Sequence, residues 1–193
     1  MKRILLATKN MNKLREFKQI LFKYDYEVIS LSDLNDNDEV EETGTTFREN
    51  ALIKARYYYN KYQIDTVSDD SGISIDYLNG FPGIYSARFL KQYDYDKKNN
   101  ILLDIMYDVD NRKAHYTCDI ALIMDGKEHV FEGIMNGAIA YEAKGTNGFG
   151  YDPIFYMSEY HMNVAEMSQE LKNEISHRAI ALKEMVKYFE KNV

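Results

Sequence analysis

The alternation of strand-like and helix-like segments is the feature that most limits how this chain can fold. Ile4–Thr8 has the apolar pattern of a short buried strand, and a polar turn leads from it into an amphipathic helix. Apolar residues recur there at helical spacing, at Leu14, Phe17, Ile20 and Leu21. Strand and helix patterns continue to alternate along the 193 residues. We therefore expect an α/β or mixed α+β fold with a central sheet flanked by helices.

Local signals set the expected bounds of the other elements. We expect strands over 28–31, 65–69, 73–77, 115–124 and 130–141, with Asp125-Gly126 as the hairpin turn between the last two. Thr46 followed by Glu49 forms a capping-box pattern at the start of a second helix. A third helix is expected over 95–106, with its Ile101, Leu102 and Ile105 facing inward. One C-terminal helix is expected to carry the apolar stripe from Leu171 to Phe189.

Composition limits the classes of function. A length of 193 residues fits one domain over 1–193. The net charge of −7 argues against binding to a nucleic-acid polymer, which usually requires a basic surface. Cys118 is the only cysteine, so a disulfide within the chain is excluded and a reducing compartment is expected. The sequence has no apolar run long enough to span a membrane, so we expect a cytoplasmic protein.

The polar turn before the first helix is a candidate anion site. Backbone N–H groups at a helix N-terminus attract phosphate oxygens, and Lys13 adds a positive charge. The glycines of a Walker A loop are missing. The alternative is an ordinary capped helix start, which such a segment usually is.

Two acidic stretches form a candidate metal site. Glu41-Glu42 lies in an acidic loop, and Asp69-Asp70-Ser71-Gly72 follows a strand pattern. Magnesium takes few protein carboxylates and completes its shell with water and phosphate oxygens. Adjacent residues on a strand point to opposite faces, so Asp69 and Asp70 cannot have equivalent roles if the strand persists there. The alternative is a solvated acidic loop with an Asp-Ser-Gly turn.

Two further segments could bind a nucleobase. The glycine-rich segment from Gly145 to Pro153 allows close approach of the backbone to a ligand, and Phe149 could stack on a base. Lys172, His177 and Arg178 lie near the chain's C-terminal end, where the rigid donors of the arginine suit a carbonyl or a phosphate. The alternatives are a flexible hairpin loop and solvated charges on a helix.

Together these segments resemble one known family. The sequence is similar to the inosine/xanthosine triphosphate pyrophosphatases, enzymes that remove deaminated purine nucleotides. The resemblance follows the family's order over nearly the whole chain. Its blocks are Ala7–Asn10 with Lys13, Glu41–Gly44 with Thr46-Phe47 and Glu49–Ala51, Ser68–Gly72, Pro82–Arg88, Gly148–Pro153 and Ile175–Arg178.

The resemblance implies a role for each matching position. Glu42 and Asp70 would hold Mg²⁺, with Mn²⁺ as an alternative, and Asp70 would be the base, supported by Asp69. Ser71 would contact the substrate. The triphosphate would be bound by Thr8, Lys9, Asn10, Met11, Asn12 and Lys13. The base and sugar would be held by Phe149, Gly150, Tyr151 and Asp152, and the purine would be read by Lys172, His177 and Arg178.

The resemblance also implies an activity and an architecture. The activity is hydrolysis of inosine, deoxyinosine and xanthosine triphosphates to the monophosphate and pyrophosphate. The architecture is an elongated mixed sheet flanked by helices in two lobes with a cleft between them, in a homodimer. The alternatives are a pyrophosphatase for modified pyrimidines or for a broad range of nucleotides, a nucleotide sensor without turnover, and an interaction domain. The sensor does not explain the acidic pair, and the interaction domain does not explain Phe149.

Overall fold

The computed structural model describes residues 2–22 and 26–192. Seven strands lie in this part of the chain: β1 Lys2–Leu6, β2 Tyr26–Ser30, β3 Thr66–Ile75, β4 Lys113–Met124, β5 Lys127–Ile139, β6 Phe155–Met157 and β7 Met162–Asn163. The five α helices there are α1 Met11–Leu21, α2 Phe47–Tyr62, α3 Tyr95–Ile105, α4 Gln169–Ile175 and α5 His177–Asn192. Short 3₁₀ helices span Asp76–Leu78, Gly83–Tyr85, Asp152–Ile154 and Val164–Glu166.

The strands form one mixed sheet in the order β2-β1-β3-β4-β5-β6-β7. Strand β1 is parallel to both β2 and β3, whereas β6 is antiparallel to β5 and β7. Parallel neighbours need helical crossovers and antiparallel neighbours do not, which explains why helices separate the early strands and a hairpin joins β4 to β5. The predicted mixed α/β class and the hairpin at Asp125-Gly126 are confirmed.

Strand β3 corrects one sequence expectation. Two strands with an Asp-Ser-Gly turn between them were expected, but a single strand runs through Asp69–Gly72. Asp69 and Asp70 are 2% and 8% exposed, so sheet pairing has overridden the turn preference of their residue types. Gly72 is required here, because a Cβ would lie 2.4 Å from the Ser86 hydroxyl oxygen and 2.5 Å from the Gly83 carbonyl oxygen.

Two helix expectations also need correction. The predicted single C-terminal helix is broken at Ser176, whose backbone is extended and whose hydroxyl accepts a hydrogen bond from the amide of Ala179, so that it caps the start of α5. Ile105 does not face inward, since it is 46% exposed at the end of α3. The following residue, Met106, is fully buried in its place.

The chain forms two compact units. The first unit comprises Met1–Asp70, Cys118–Gly133 and Ile180–Val193, and the second comprises Ser71–Thr117 and Ile134–Ala179. Each has its own apolar core, around Phe17 and Leu182 in the first unit and around Ile73 and Phe155 in the second. None of the helices in the described part of the chain combines the length and the apolar character that a membrane span requires. The predicted cleft stays a prediction.

Candidate active site

The predicted phosphate-binding turn lies in the first unit. Asn10 caps α1, and its side-chain oxygen accepts hydrogen bonds from the amides of Asn12 at 2.9 Å and Lys13 at 3.3 Å. The Thr8 hydroxyl accepts one from the amide of Asn10 at 3.1 Å. Part of the N–H array therefore already has a partner within the chain, as in the ordinary capped helix start. Met11 is 62% exposed, so it adds an accessible side chain rather than core packing.

Asp69 and Asp70 have different partners, as expected for neighbours on one strand. Asp69 Oδ2 lies 2.9 Å from the ammonium of Lys13, and the thiol of Cys118 lies 3.9 Å from the same oxygen. Asp70 Oδ2 accepts a hydrogen bond from the amide of Asn50 on α2 at 3.1 Å. Asp69 therefore fixes the Lys13 ammonium near the start of α1, while Asp70 lies against α2.

Lys54 links the two acidic stretches and was missed from the sequence. Its ammonium donates to Glu42 Oε1 at 2.6 Å and to the Asp69 carbonyl oxygen at 2.7 Å. Burial lowers its pKa, but Asp70, Glu42 and Asp69 together raise it above the ordinary value. The sequence spacing could have indicated it, because Lys54 and Asn50 are four residues apart on α2 and so share one face of the helix.

Burial raises the pKa of Asp70 above its ordinary value, and the negative charge of Glu42 acts in the same direction. Lys54, Lys13 and the hydrogen bond from Asn50 oppose this shift. The carboxyl group of Asp70 is therefore more basic than a solvated aspartate. This is the property required of a group that accepts a proton from water.

The loop that carries Glu42 is held to α2 by a second cluster. Lys61 donates to Asp36 at 2.7 Å and to Asp38 at 2.6 Å, and the Tyr62 hydroxyl donates to Asp36 at 2.5 Å. The hydrogen bonds from Lys61 and Tyr62 lower the pKa of Asp36 to about 2. These contacts anchor the loop to the helix that presents Lys54.

A hollow of about 290 Å³ lies beside this cluster, within the first unit. Its lining includes Thr8, Lys9 and Lys54 as well as two acidic residues. The hydroxyl and the two ammonium groups are donors that suit a phosphate oxygen, whereas the two carboxylates disfavour an anion. Among the residues that the structure describes, no three His, Cys, Asp or Glu side chains are grouped as metal ligands. A cation here would thus rely on a few carboxylates, of which Glu42 and Asp70 are the predicted pair.

The glycine-rich loop belongs to the second unit and is organised by Asp152. Oxygen Oδ2 of this residue accepts hydrogen bonds from the Phe149 amide at 2.9 Å and from the Lys172 ammonium at 2.7 Å. Gly148 has φ +75°, and a Cβ there would lie 2.2 Å from the same oxygen. Glycine is therefore needed to bring the loop onto the carboxylate. Asp152 was predicted as a ligand contact, and here it is buried and binds two groups of its own chain.

Phe149 lies near two cations and is not part of an apolar core. The Lys172 ammonium is 4.6 Å from the ring centroid, and the Arg178 guanidinium is 5.8 Å from it. Both distances fall in the cation–π range. The half-exposed ring and its cations give the second unit an aromatic surface with hydrogen-bond donors beside it.

Arg178 and His177 are buried, so the solvated-helix alternative is wrong. Arg178 is 2% exposed, and its Nη2 donates to the Ser71 hydroxyl at 3.1 Å. His177 is 6% exposed and stacks on Tyr116, which the sequence analysis did not identify. Arginine is rarely buried without a specific partner or purpose. The structure thus brings Ser71, Phe149, Lys172 and Arg178 together.

Gly150 and Tyr151 are held in place by hydrogen bonds to other elements of the second unit. The Tyr151 side chain is 3% exposed, and its hydroxyl donates to the Ser86 carbonyl at 2.7 Å. The Gly150 carbonyl accepts from the amide of Asn99 on α3 at 3.1 Å. Asn99 is therefore another residue missed from the sequence, and it fastens the loop to α3.

Known proteins resemble this chain in sequence and in structure. A family model described as the Ham1 family matches residues 4–188. A protein of Clostridium tetani named dITP/XTP pyrophosphatase is 46% identical over 190 residues, which cover 94% of this chain and 93% of the relative. A protein of Christiangramia forsetii with the same name is 43% identical, and the match covers 98% of this chain and 100% of the relative. The structure of the Staphylococcus aureus Ham1 protein is 38% identical, with a TM-score of 0.91 and 100% coverage of both chains.

Proposed function

This chain belongs to the Ham1 family, and we propose that it hydrolyses inosine, deoxyinosine and xanthosine triphosphates to the nucleoside monophosphate and pyrophosphate. Such an enzyme removes deaminated purines from the nucleotide pool. The relatives named dITP/XTP pyrophosphatase, which match over at least 93% of their own length, support this activity. We treat residues 1–193 as one pyrophosphatase domain, because the family match runs from 4 to 188.

The observation that carries the proposal is the group of buried donors beside Phe149. Arg178 is 2% exposed and Lys172 is 5% exposed, so their donors are fixed in position. Inosine and xanthosine carry a carbonyl at purine position 6, whereas adenosine carries an amino group. A fixed N–H donor satisfies the carbonyl but opposes the amino group, which disfavours adenosine by roughly 10⁴-fold where a site is built around that hydrogen bond.

The acidic cluster of the first unit fits Mg²⁺, with Mn²⁺ as an alternative. Its donors are carboxylate oxygens, which hard divalent cations prefer, and one or two carboxylates suffice when phosphates complete the shell. Asp70, Glu42 and Asp69 raise the pKa of Lys54, so these carboxylates favour a positive charge beside them. Glu42 and Asp70 would hold the ion, which would neutralise charge on the phosphate oxygens.

The side chains of the first unit account for the hydrolytic step. Asp70 accepts a proton from water, and the water oxygen forms a bond to the α-phosphorus. The bond between that phosphorus and the bridging oxygen breaks, and pyrophosphate leaves. Thr8, Lys9 and Lys13 bind the leaving phosphates, while Asp69 holds the Lys13 ammonium in place. Catalysis is then mostly positioning and electrostatic stabilisation.

Isotope incorporation tests the site of attack. Hydrolysis of ITP in ¹⁸O-labelled water should place the label in inosine monophosphate, because the new bond forms at the α-phosphorus. Mass spectrometry of the two products measures this. Label in pyrophosphate instead would rule out α-attack.

A pyrophosphate-release assay tests the proposed activity. We expect turnover of ITP, dITP and XTP with Mg²⁺, far slower turnover of ATP, and none after chelation. The variant Glu42→Gln should raise the Mg²⁺ concentration needed for half-maximal rate about tenfold, whereas its neighbour control Glu41→Gln should not. Binding without turnover would indicate a nucleotide sensor. Equal rates across purines and modified pyrimidines would indicate a broad pyrophosphatase.

Two further features belong to the proposal. We expect a homodimer, which light scattering of the purified protein measures directly. We also expect the enzyme to act in the cytoplasm on free nucleotides, without a membrane or a nucleic-acid polymer as partner.

A further inference from the structure

Tyr116 is a buried aromatic residue near the start of β4, in the second unit. It is 6% exposed, and its ring is stacked on the imidazole of His177 with centroids 4.6 Å apart and planes 8° from parallel. A second ring contact comes from Phe155, whose ring is tilted by 48° to that of Tyr116 with the centroids 4.6 Å apart. The Tyr116 ring is thus fixed by the core, and the imidazole lies flat against it.

The same tyrosine also contacts the acid that organises the glycine-rich loop. Its hydroxyl donates to Asp152 Oδ1 at 3.5 Å, while the other oxygen of Asp152 binds Lys172 and the amide of Phe149. Strand β4, the 3₁₀ helix over Asp152–Ile154 and helix α5 therefore meet at one side chain. The 3₁₀ helix contributes Asp152 and α5 contributes His177, and the family resemblance implies that both residues bind the substrate.

We propose that Tyr116 is a positioning residue for purine selection, whose ring holds the His177 imidazole in the orientation used to read the base. This inference rests on the proposed function for the base-reading role of His177. Tyr116 itself need not touch the substrate. It acts through the plane of the imidazole, because a ring stacked at 8° can donate or accept only in that plane.

The ring is expected to matter more than the hydroxyl. A separation of 3.5 Å is at the weak limit for an O–H···O hydrogen bond, which usually measures 2.5–3.0 Å. Burial first, and then the charge of Asp152, raise the pKa of Tyr116 well above its ordinary value, so the phenol stays neutral at any working pH. Phenylalanine would keep the stack and lose only the weak contact.

Three variants separate these contributions. Tyr116→Met keeps much of the volume but removes the ring, Tyr116→Phe removes only the hydroxyl, and Tyr156→Met is the control at a half-buried tyrosine of the same unit. We expect Tyr116→Met to lower the ratio of kcat/KM for ITP over ATP about 3- to 10-fold, mainly through the KM for ITP. Tyr116→Phe and Tyr156→Met should stay within about twofold of the original ratio.

Side-chain NMR tests the stack without any substrate. The chain has four histidines, so their ring signals can be assigned with His177→Gln. The His177 ring protons should be shifted upfield by the facing tyrosine ring in the unmodified protein and in Tyr116→Phe. They should return to an ordinary position in Tyr116→Met. This measurement on the unmodified protein remains decisive even if Tyr116→Met fails to fold.

The two arms distinguish failure of the inference from failure of the function. An unchanged ITP-to-ATP ratio in folded Tyr116→Met, or an unshifted His177 signal in the unmodified protein, overturns the inference. The inference is also overturned if Tyr116→Phe lowers the ratio of kcat/KM for ITP over ATP as much as Tyr116→Met does. If the unmodified protein releases no pyrophosphate from ITP, the proposed function fails, and NMR still decides whether Tyr116 orients His177.

Discussion

Two ion pairs, one in each unit, differ in how deeply their side chains are buried. In the first unit, the side chains of Lys54 and Glu42 are 16% and 24% exposed where they pair. In the second unit, the side chains of Lys172 and Asp152 are 7% and 4% exposed where they pair. Solvent therefore reaches the first pair more readily than the second. Removing one partner of the more deeply buried pair is therefore the more costly change.

This difference suits the two proposed tasks. Phosphate binding and proton transfer require charges that can change partners, and Lys54 now neutralises carboxylates that a divalent cation would take. Selection of a base requires donors that do not move, because a donor that can turn away no longer opposes the amino group of adenosine. The buried donors around Asp152 and Arg178, in the second unit, meet this requirement.

The largest expected effect is on turnover in the first unit. Asp70→Asn removes the proposed proton acceptor, and we expect kcat for ITP to fall by at least about 10³-fold. Because burial raises the pKa of Asp70, its charge does not stabilise the fold, and the melting temperature should not drop. Pyrophosphate release and thermal denaturation measure the two effects. Near-normal activity in this variant would remove Asp70 from its role.

The next effect is on stability in the second unit. Asp152→Asn leaves the Lys172 ammonium buried without its carboxylate, which should lower the unfolding free energy by about 3–5 kcal/mol. The matched control is Glu142→Gln, in the pair with Lys144 whose side chains are 71% and 53% exposed. That change should cost less than about 1 kcal/mol. Urea denaturation measures both losses of unfolding free energy. Equal losses in the two variants would show that the buried pair does not contribute more to stability than the exposed one.

A smaller effect is expected on selectivity. Arg178→Ala removes the proposed donor to the purine carbonyl, so the preference for ITP over ATP should fall about 10²-fold, mostly through slower turnover of ITP. Initial rates on both substrates measure the ratio, and circular dichroism checks the fold. An unchanged ratio in a folded variant would exclude Arg178 from base selection.

The smallest effect concerns a buried acid of the first unit without a role in the proposal. Burial first, and then Glu132, raise the pKa of Asp119 to about 6, and Arg48 opposes the shift. Because this value exceeds the unfolded pKa of about 3.9, the unfolding free energy falls as pH rises through the interval between them and stays reduced above it. Asp119→Asn should stabilise the protein by about 1–2 kcal/mol at pH 8 and by less at pH 5. Urea denaturation at the two pH values measures this difference. A gain in unfolding free energy that is the same at pH 5 and pH 8 would contradict the raised pKa of Asp119.

Periodicity predicted most of the fold and failed where polar residues are buried. The mixed class, the hairpin at Asp125-Gly126 and the start of α2 follow from local patterns. The strand through Asp69–Gly72 does not, because the turn preference of Asp, Ser and Gly is overridden by sheet neighbours distant in sequence. The break at Ser176 was missed since apolar residues continue at helical spacing across it.

For the candidate site, the sequence indicated residue types but not their contacts. The order of short blocks pointed to Asp70, Phe149 and Arg178. It could not show that Lys54 bridges Glu42 and Asp69, or that Tyr116 stacks on His177, because those contacts join elements far apart in the chain. Nor could it show that Asp152 pairs with Lys172, and the predicted contact of Asp152 with a ligand stays a prediction.

Equilibrium binding by Asp70→Asn most directly tests the separation of tasks between the two units. Calorimetric titration of this variant with ITP and with ATP, in the presence of Mg²⁺, measures discrimination without turnover. We predict that ITP binds at least about 10²-fold more tightly than ATP, because the donors that select the purine lie in the second unit and are intact. Equal affinities for the two nucleotides, with the fold preserved, would contradict the account.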